Sequence, residues 1–241
     1  MPVPSPPRLS AAHRDAMRAN PWFSSLPRVQ RDALLGAAEL THLRRGATVF
    51  RQGDSVRSAG SGLYGLAAGM VKISTLRQDG REAILTVLEP GNWFGEISLI
   101  DGSARTHDAT ALSTLDLLVV PPQVFAHLMS DVVFANAMAA LLAARVRGLY
   151  ALMEDATLRG LRARVARRLI VLARGDVTQS AEPRGRVVIP QDALAMMLGV
   201  TRQTLSRELN ALAQAGTISI GYRSIEILSF EALERCGIVG Q

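Results

Sequence analysis

Residues 189 to 215, IPQDALAMMLGVTRQTLSRELNALAQA, constrain the fold more than any other stretch of the chain. Two amphipathic helical patterns flank the joint Gly199-Val200-Thr201, where glycine permits a positive φ and threonine is a good N-cap. Two helices joined by such a short turn are typical of a helix-turn-helix, whose second helix enters the DNA major groove. The alternative is a helical hairpin whose arginines are only solvated. The residues predicted to contact DNA here are Thr201, Arg202, Gln203, Ser206 and Arg207.

Positive charge is concentrated in the same part of the chain. From Arg159 to the C-terminus there are 12 arginines and 7 carboxylates, while the net charge of the whole chain is +6. Such an excess is expected where a protein neutralises DNA phosphates. A genome of high GC content would also enrich arginine, so composition alone leaves both explanations open.

Short β-segments separated by glycines occupy the region from Thr41 to about Val120. Their spacing predicts a sandwich, a barrel or a jelly roll, and Asp79-Gly80 is the strongest hairpin-turn signal. Residues 1 to about 12 are expected to be disordered, and a helical stretch broken at Pro21 and Pro27 is expected to follow, up to Leu40. The predicted strands are Thr48–Phe50, Gly62–Ala67, Val71–Leu76, Glu82–Leu88, Phe94–Ile97, His107–Ala111 and Leu115–Val120.

A long helix is predicted from Val132 to Leu158, and its apolar residues recur with a period of 3.5. That period is typical of a coiled coil, so we expect a parallel homodimer, with packing on the β-segments as the alternative. Beyond the helix-turn-helix, two short strands around Gly221-Tyr222-Arg223 predict a β-wing. The predicted dimer contacts are Leu142, Val146, Leu149, Met153 and Ala156.

Several classes of protein are disfavoured by what the sequence lacks. No run of about 18 uninterrupted apolar residues predicts a membrane span, and the N-terminal residues lack the apolar segment of a secretion signal, so a cytoplasmic protein is expected. The single cysteine, Cys236, excludes an intramolecular disulfide framework and a cysteine-based metal site. Because the carboxylates and histidines form no acid–base or nucleophile set, we expect no enzyme, no catalytic residue and no metal ligand.

The order of these parts resembles the Crp/Fnr family of bacterial transcription regulators over about Pro21 to Ile227. The resemblance implies an α+β fold with an N-terminal cyclic-nucleotide-binding-type β-roll (jelly roll), a long dimerisation helix and a C-terminal winged helix-turn-helix. The implied domains are a flexible segment 1–20, the β-roll 21–131, the dimerisation helix 132–158 and the DNA-binding domain 159–241. Three runs carry the resemblance: RGATVFRQGD at 45–54, GNWFGEISL at 91–99 with Arg105-Thr106, and GVTRQTLSR at 199–207.

The second of these runs resembles the phosphate-binding cassette of cyclic-nucleotide domains. A cyclic phosphodiester requires a cation and an acceptor for the ribose hydroxyl, roles that the resemblance gives to Arg105 and Glu96. The family's cyclic AMP receptors have a Thr-Ser pair where this chain has Leu149-Tyr150. Cyclic AMP, cyclic GMP, cyclic di-GMP, another small ligand, or a vestigial pocket with a Glu96–Arg105 ion pair therefore remain open. The predicted ligand residues are Gly95, Glu96, Ile97, Ser98, Arg105, Thr106 and Tyr150.

The recognition helix departs from the family pattern at Gln203, where the family has glutamate. Glutamine suits the N6 and N7 atoms of adenine rather than the N4 atom of cytosine, so we expect a different base in the operator. Arg223 of the wing is expected to hold the DNA backbone. The predicted partners are a near-palindromic DNA operator, a second copy of the chain and, as a further candidate, RNA polymerase. The rival hypothesis is a cyclic-nucleotide-binding module that controls a protein partner instead of DNA.

Overall fold

A computed structural model describes residues 9–76, 82–178 and 183–238. The chain divides into two compact units. Of the described residues, the first unit takes 9–76 and 85–143, and the second takes 82–84 and 144–238. The predicted turn Asp79-Gly80 and the first eight residues of the segment predicted to be disordered lie outside the described residues.

The N-terminal half of the chain contains two four-stranded sheets. The strands are β1 (Glu39–Leu43), β2 (Thr48–Phe50), β3 (Leu63–Ala68), β4 (Val71–Leu76), β5 (Glu82–Leu88), β6 (Trp93–Phe94), β7 (Asp108–Ala111) and β8 (Leu115–Val120). One sheet has the order β1-β8-β3-β6 and the other the order β2-β7-β4-β5. The pairs β1/β8, β3/β8, β3/β6, β2/β7 and β4/β7 are antiparallel. These two sheets form the predicted β-roll.

Three short helices precede the strands and pack on the first sheet: α1 (Ala11–Arg18), α2 (Pro21–Ser25) and α3 (Arg28–Gly36). Ser10 caps α1 by accepting the backbone N–H of His13, and Asn20 caps α2 in the same way. The core beneath them contains the fully buried Met17 and Leu34. Residues 11–18 therefore correct the expectation of a flexible segment over 1–20, because burial of the apolar Met17 holds α1 in place.

Two further sequence predictions are wrong in this half. The segment Phe94–Ile97 is not one strand, because β6 ends at Phe94 and α4 (Glu96–Asp101) starts after Gly95. The end of the predicted helical stretch is strand β1, which pairs with β8 over five residues. After β8 the chain forms α5 (Pro122–Met129).

The long helix α6 (Val132–Leu158) has the predicted bounds. Asp131 precedes it and accepts the backbone N–H groups of Val133 (2.7 Å) and Phe134 (3.1 Å). These hydrogen bonds hold the pKa of the Asp131 carboxyl below its ordinary value. Phe134 and Met138 are buried in the core of the first unit, whereas most side chains from Val146 onwards are exposed.

The second unit contains four helices and a small sheet, which include the predicted helix-turn-helix. Its elements are α7 (Leu161–Ala173), β9 (Arg186–Val188), α8 (Gln191–Leu198), α9 (Arg202–Gln214), β10 (Ile218–Gly221), β11 (Ser224–Ile227) and α10 (Phe230–Ile238). The sheet has the order β10-β11-β9 and its pairs are antiparallel. The predicted α+β architecture of β-roll, long helix and winged helix-turn-helix is confirmed; α10 was missed.

Candidate DNA interface and effector site

The joint between α8 and α9 has the geometry that its sequence predicts. Gly199 ends α8 with a φ of 67°, in the left-handed region that favours glycine. Thr201 then caps α9, because its Oγ1 accepts the backbone N–H of Thr204 at 3.1 Å. The chain changes direction at this joint, so α9 begins immediately after α8 and runs along a different axis. The apolar face of α9 is buried through Leu205, Leu209 and Leu212.

The outward face of α9 carries the predicted DNA contacts. Arg202, Gln203 and Arg207 are exposed and Ser206 is half-buried. The Nε atom of Arg202 lies 3.5 Å from Oδ1 of Asp192, but both side chains are largely exposed, so the pair is weak and easily exchanged for a phosphate. The polar groups of this face are thus accessible to base edges when the helix lies in the major groove of a DNA duplex.

Several arginines that contribute to the C-terminal charge excess are used inside the second unit instead. Arg168 is buried and pairs with the buried Asp176 at 2.7 Å. Arg164 donates to the carbonyl oxygen of Leu198 at 2.8 Å, which satisfies the end of α8. Arg184 donates to the carbonyl oxygen of Leu172 at 3.2 Å. Only some of the arginines behind the charge excess are therefore available to DNA, and the others stabilise the domain through internal contacts.

Asp155 anchors the end of α6 within the second unit, a role the sequence did not reveal. One carboxylate oxygen of Asp155 accepts a hydrogen bond from Nε of Arg159 at 2.8 Å and forms an ion pair with Arg167, whose Nε lies 2.6 Å away. Arg159 also donates to the carbonyl oxygen of Gly237 in α10 at 2.6 Å. The buried Asp155 carboxylate thus links the last turns of α6 directly to α7, and through Arg159 it links them to α10.

In the β-roll, the backbone conformation of Gly95 and the space beside it shape the predicted cassette. Its φ is 86°, and a Cβ there would lie 2.9 Å from the Tyr64 ring and 3.0 Å from Nη1 of Arg105. The space left by the missing side chain is therefore filled by Tyr64 and Arg105. This position starts α4 and brings Glu96, Ile97 and Ser98 into its first turn.

Arg105 is the centre of this site and is only 3% exposed. Its Nη1 donates to the carbonyl oxygen of Gly95 at 2.5 Å, and its Nη2 donates to Ser61 Oγ at 2.9 Å and to the carbonyl oxygen of Gly62 at 3.0 Å. The guanidinium carbon lies 4.5 Å from the centre of the Phe50 ring. Burial lowers the pKa of Arg105, yet a guanidinium remains cationic at neutral pH.

These contacts leave Arg105 without a direct anionic partner among the described residues, so the Glu96–Arg105 ion pair of the vestigial-pocket alternative is not formed there. Glu96 is buried and close enough to favour the charged form of Arg105. Burial also raises the pKa of the neighbouring Tyr64 hydroxyl, which donates to the carbonyl oxygen of Gly60 at 3.0 Å. The site holds a buried cation on neutral oxygens and aromatic rings, an arrangement that favours an added anion.

The remaining predicted ligand residues are less closely grouped. Ser98 is buried and donates to the carbonyl oxygen of Ala104 at 3.2 Å, which closes the loop after α4. Ile97 and Thr106 are exposed, and Tyr150 is an exposed residue of α6. Their part in binding stays a prediction. Phe50, Ser61 and Tyr64 were not predicted as site residues, because they precede the cassette by 27 or more residues and have no signal beyond their aromatic or hydroxyl type.

In the described part of the chain, no group of three or more His, Cys, Asp or Glu side chains could hold a metal ion. His107, the histidine beside the cassette, is half-buried, and this burial lowers the pKa of its imidazole. A neutral imidazole is therefore favoured at this position.

Four of the five predicted dimer residues are exposed on α6: Val146, Leu149, Met153 and Ala156. By length and composition alone, α6 is long and apolar enough to cross a membrane, although its apolar residues form no uninterrupted run of about 18. The helix also contains Arg145, Arg147, Glu154 and Asp155. A long exposed apolar stripe indicates a surface that binds a partner. The charged residues beside the stripe favour a protein partner over a bilayer, because charges inside a bilayer are costly.

Comparison with known proteins identifies two domain families in this chain. A cyclic nucleotide-binding domain matches residues 40–132, and a Crp-like helix-turn-helix domain matches residues 163–236. A cyclic AMP receptor protein of Thermus thermophilus is 32% identical over 219 residues, which covers 90% of this chain and 97% of the relative. A CRP-like cAMP-activated global transcriptional regulator of Mycobacterium tuberculosis is 30% identical over 193 residues, covering 79% and 84% respectively.

Solved structures agree with the sequence comparisons. A CRP-family transcriptional regulator of Thermus thermophilus is 28% identical, with a TM-score of 0.65 over 83% of this chain and 97% of that one. FixK2 of Bradyrhizobium japonicum, at 22% identity, shows the shared fold with a TM-score of 0.73 over 85% of this chain and 99% of its own. The β-roll, the long helix and the helix-turn-helix thus occur together in known proteins.

Proposed function

We propose that this chain, which belongs to the Crp/Fnr family of transcriptional regulators, acts as a homodimer that binds the two halves of a near-palindromic DNA operator with its two copies of α9. It is a DNA-binding transcription regulator, and the match to the Crp-like helix-turn-helix favours this function over the rival module without DNA. We place it in the cytoplasm, with domain boundaries at 21–131, 132–158 and 159–241. RNA polymerase stays a candidate partner.

The main support for the homodimer is the exposed apolar stripe on α6. Leu149 and Met153, four residues apart in the same apolar stripe, are 63% and 61% exposed in the single chain. Side chains at this spacing interlock when two parallel helices pair, which removes their apolar surface from water. A second copy also fits the charged residues beside the stripe, because in a two-stranded coil they stay in water.

DNA recognition by α9 is supported by the side chains that its outward face presents. Arg207 and Arg202 suit the O6 and N7 atoms of guanine or nearby phosphates, and Gln203 suits adenine. Two half-sites would lie about one helical turn of DNA, roughly 34 Å, apart. Thr201, exposed at the N-cap of α9, and Ser206, half-buried on α9, are the proposed contacts to phosphates.

An electrophoretic shift with selected genomic fragments tests this function. We expect the affinity of the wild type to fall steeply as salt rises, because bound arginines release counterions from the phosphates. Arg207→Ala should weaken binding by about tenfold or more. Arg45→Ala, which removes an exposed arginine of the β-roll, is the matched control and should bind like the wild type. Absence of salt-sensitive binding would instead favour the rival module that controls a protein partner.

For the β-roll we propose an anionic effector of the cyclic nucleotide class. The supporting observation is Arg105, a buried cation whose direct partners among the described residues are neutral oxygens and rings. A phosphate would supply the missing negative charge, and the aromatic rings of Phe50 and Tyr64 beside it would hold the guanidinium in place. Glu96 would accept the ribose hydroxyl. The effector would then change the affinity of the dimer for its operator.

Calorimetry of the dimer against cyclic AMP, cyclic GMP and cyclic di-GMP is the test of the effector. We expect one of them to bind, and Arg105→Gln to weaken that binding by about 100-fold, because the variant keeps hydrogen-bond donors but loses the charge. Arg45→Ala again serves as the control. Tryptophan fluorescence checks that the variant is folded, since both Trp22 and Trp93 lie in the first unit. If no cyclic nucleotide binds the wild type, the β-roll is a scaffold and Arg105 a structural residue.

A further inference from the structure

The exposed stripe of α6 and the recognition helix belong to the same compact unit. The second unit also takes in α6 from Ala144 onwards, so four of the five predicted dimer residues lie in the unit that contains α9. In a dimer paired along this stripe, the separation of the two copies of α9 is set inside each second unit. It depends on the angle between the end of α6 and the helices that carry α9.

The covalent connection between α6 and α7 does not fix this angle by itself. Leu158 ends α6 and Leu161 begins α7, which leaves Arg159 and Gly160 as a two-residue connection. Gly160 is the N-cap of α7 and makes no side-chain capping hydrogen bond. A connection this short limits the distance between the helix ends, but rotation about its backbone dihedrals still changes the angle between the helices. Noncovalent contacts must therefore hold the angle.

One carboxylate makes the main contact of this kind. Oδ1 of Asp155, in the last turn of α6, accepts a hydrogen bond from Nε of Arg159 at 2.8 Å and lies 2.6 Å from Nε of Arg167 on α7. Asp155 is only 8% exposed, so water screens this cluster less than it screens a surface ion pair. Rotation of α7 away from α6 would separate Arg167 from the carboxylate. The cluster thus favours one angle between the two helices.

Helix α10 supports the same cluster from another side. Arg159 donates from Nη1 to the carbonyl oxygen of Gly237 at 2.6 Å. The aliphatic part of Arg167 lies across the same glycine, where a Cβ would be only 2.8 Å from its Cγ. The absence of a side chain at Gly237 therefore permits Arg167 to lie between α7 and α10 and to reach Asp155.

Helix α7 is in turn joined to the helix-turn-helix. Arg164 donates to the carbonyl oxygen of Leu198, the last residue of α8, at 2.8 Å. Arg162 donates from Nε to Glu208 on α9, also at 2.8 Å. Because α7 contacts both helices in this way, the direction of α9 relative to the stripe of α6 follows the angle that Asp155 holds.

We propose that Asp155 is a positioning residue for DNA binding, which determines the half-site spacing that the dimer accepts. This inference rests on the proposed function of α9 and on the proposed homodimer. One additional base pair between the half-sites moves the second half-site by about 3.4 Å and rotates it by about 35° around the DNA axis. A dimer whose second units are held at one angle rejects this change, whereas a dimer whose units can rotate tolerates it. Asp155 is buried and acts without contacting DNA.

Operators with identical half-sites and different spacings test the proposal with the full-length dimer. We expect the wild type to bind its preferred spacing about 30-fold more tightly than a spacing one base pair longer or shorter. Asp155→Asn should reduce this preference to about threefold, because the amide has the size of the carboxylate but leaves Arg159 and Arg167 without a negative charge between them. Its binding to DNA with a single half-site should equal that of the wild type, since α9 is unchanged.

Arg167→Met removes the contact from the side of α7. Asp155 keeps its hydrogen bond with Arg159 in this variant, so no buried carboxylate is left unpaired. The spacing preference should fall as it does in Asp155→Asn, and the double variant should lose little more, because both changes remove the same contact. Glu154→Gln is the matched control. Glu154 is the adjacent carboxylate, largely exposed and 3.7 Å from Arg159, so its neutralisation should leave the spacing preference intact.

Two results would overturn the proposal. One is a full spacing preference in both Asp155→Asn and Arg167→Met. The other is an equal loss of affinity for every spacing and for the single half-site, together with a lower melting temperature, which would make the cluster a stabiliser of the fold alone. Arg207→Ala should weaken binding to all these DNAs and keep the spacing preference. A wild type that binds none of them would overturn the proposed function of α9, and this inference with it.

Discussion

A Leu149→Glu, Met153→Glu double variant is expected to be a folded monomer that binds the operator at least about 100-fold more weakly than the wild type. Both side chains are mostly exposed on α6, so their replacement disturbs no core of the single chain. In a parallel dimer the same change would bring four carboxylates together along one seam, where like charges repel and apolar packing is lost. A monomer retains one half-site contact and loses the gain from binding two halves at once.

Sedimentation measures this effect as the mass of the particle, 25.9 kDa for one chain or twice that for the dimer. The matched control is Ala144→Glu, Ala151→Glu, which adds the same charges to exposed positions on the opposite side of α6. It should remain dimeric and bind DNA normally. A seam variant that still sediments as a dimer would show that the chain pairs through some other surface.

The long helix and the helix-turn-helix could be predicted because their signals are local and repeated. Val132 and Leu158 bound α6 in the structure as in the prediction, since a period maintained over three heptads leaves little room for another structure. The joint at Gly199 and Thr201 is equally local, because a left-handed C-cap and a hydroxyl N-cap act on their own neighbours.

The errors arose where short segments depend on distant partners. The run after Gly95 alternates apolar and polar residues like a strand, yet the left-handed glycine turns it into the short helix α4. Glu39–Leu43 continues a helical stretch in sequence, but it becomes a strand because it pairs with β8, more than 70 residues later. Tertiary pairing thus outweighs local propensity at β1, whereas at α4 the backbone conformation of one glycine decides the structure.

The functional sites show the same difference between features set by local sequence and features set by distant contacts. Arg202, Gln203 and Arg207 lie on the exposed face that helical periodicity predicts for them. The count of arginines, by contrast, could not distinguish a DNA-facing residue from Arg164 or Arg168, which satisfy a helix end and a buried aspartate. For the same reason the surroundings of Arg105 were not predictable, because Phe50 and Tyr64 reach it only through the folding of the two sheets.

Gln203→Glu is expected to change which DNA the regulator prefers. Gln203 is exposed in the first turn of α9, where side chains point toward base edges when the helix enters the major groove. The amide of glutamine both donates and accepts, which matches N7 and N6 of adenine, whereas a carboxylate only accepts and matches the N4 amino group of cytosine. The two proteins should therefore differ at one base pair of each half-site.

Selection from random DNA followed by affinity measurements tests this expectation. Each protein should bind its own half-site about tenfold more tightly than that of the other, the effect of one well-made base contact. Gln203→Ala is the control, and it should lose the preference at this base pair without acquiring a new one. A carboxylate at position 203 would also lie four residues before Arg207 and could form an ion pair with it along the helix. Arg207 would then be held away from its own base, so a loss of preference at a second base pair would identify this ion pair. Identical half-sites for the wild type and Gln203→Glu would show that Gln203 does not contact a base.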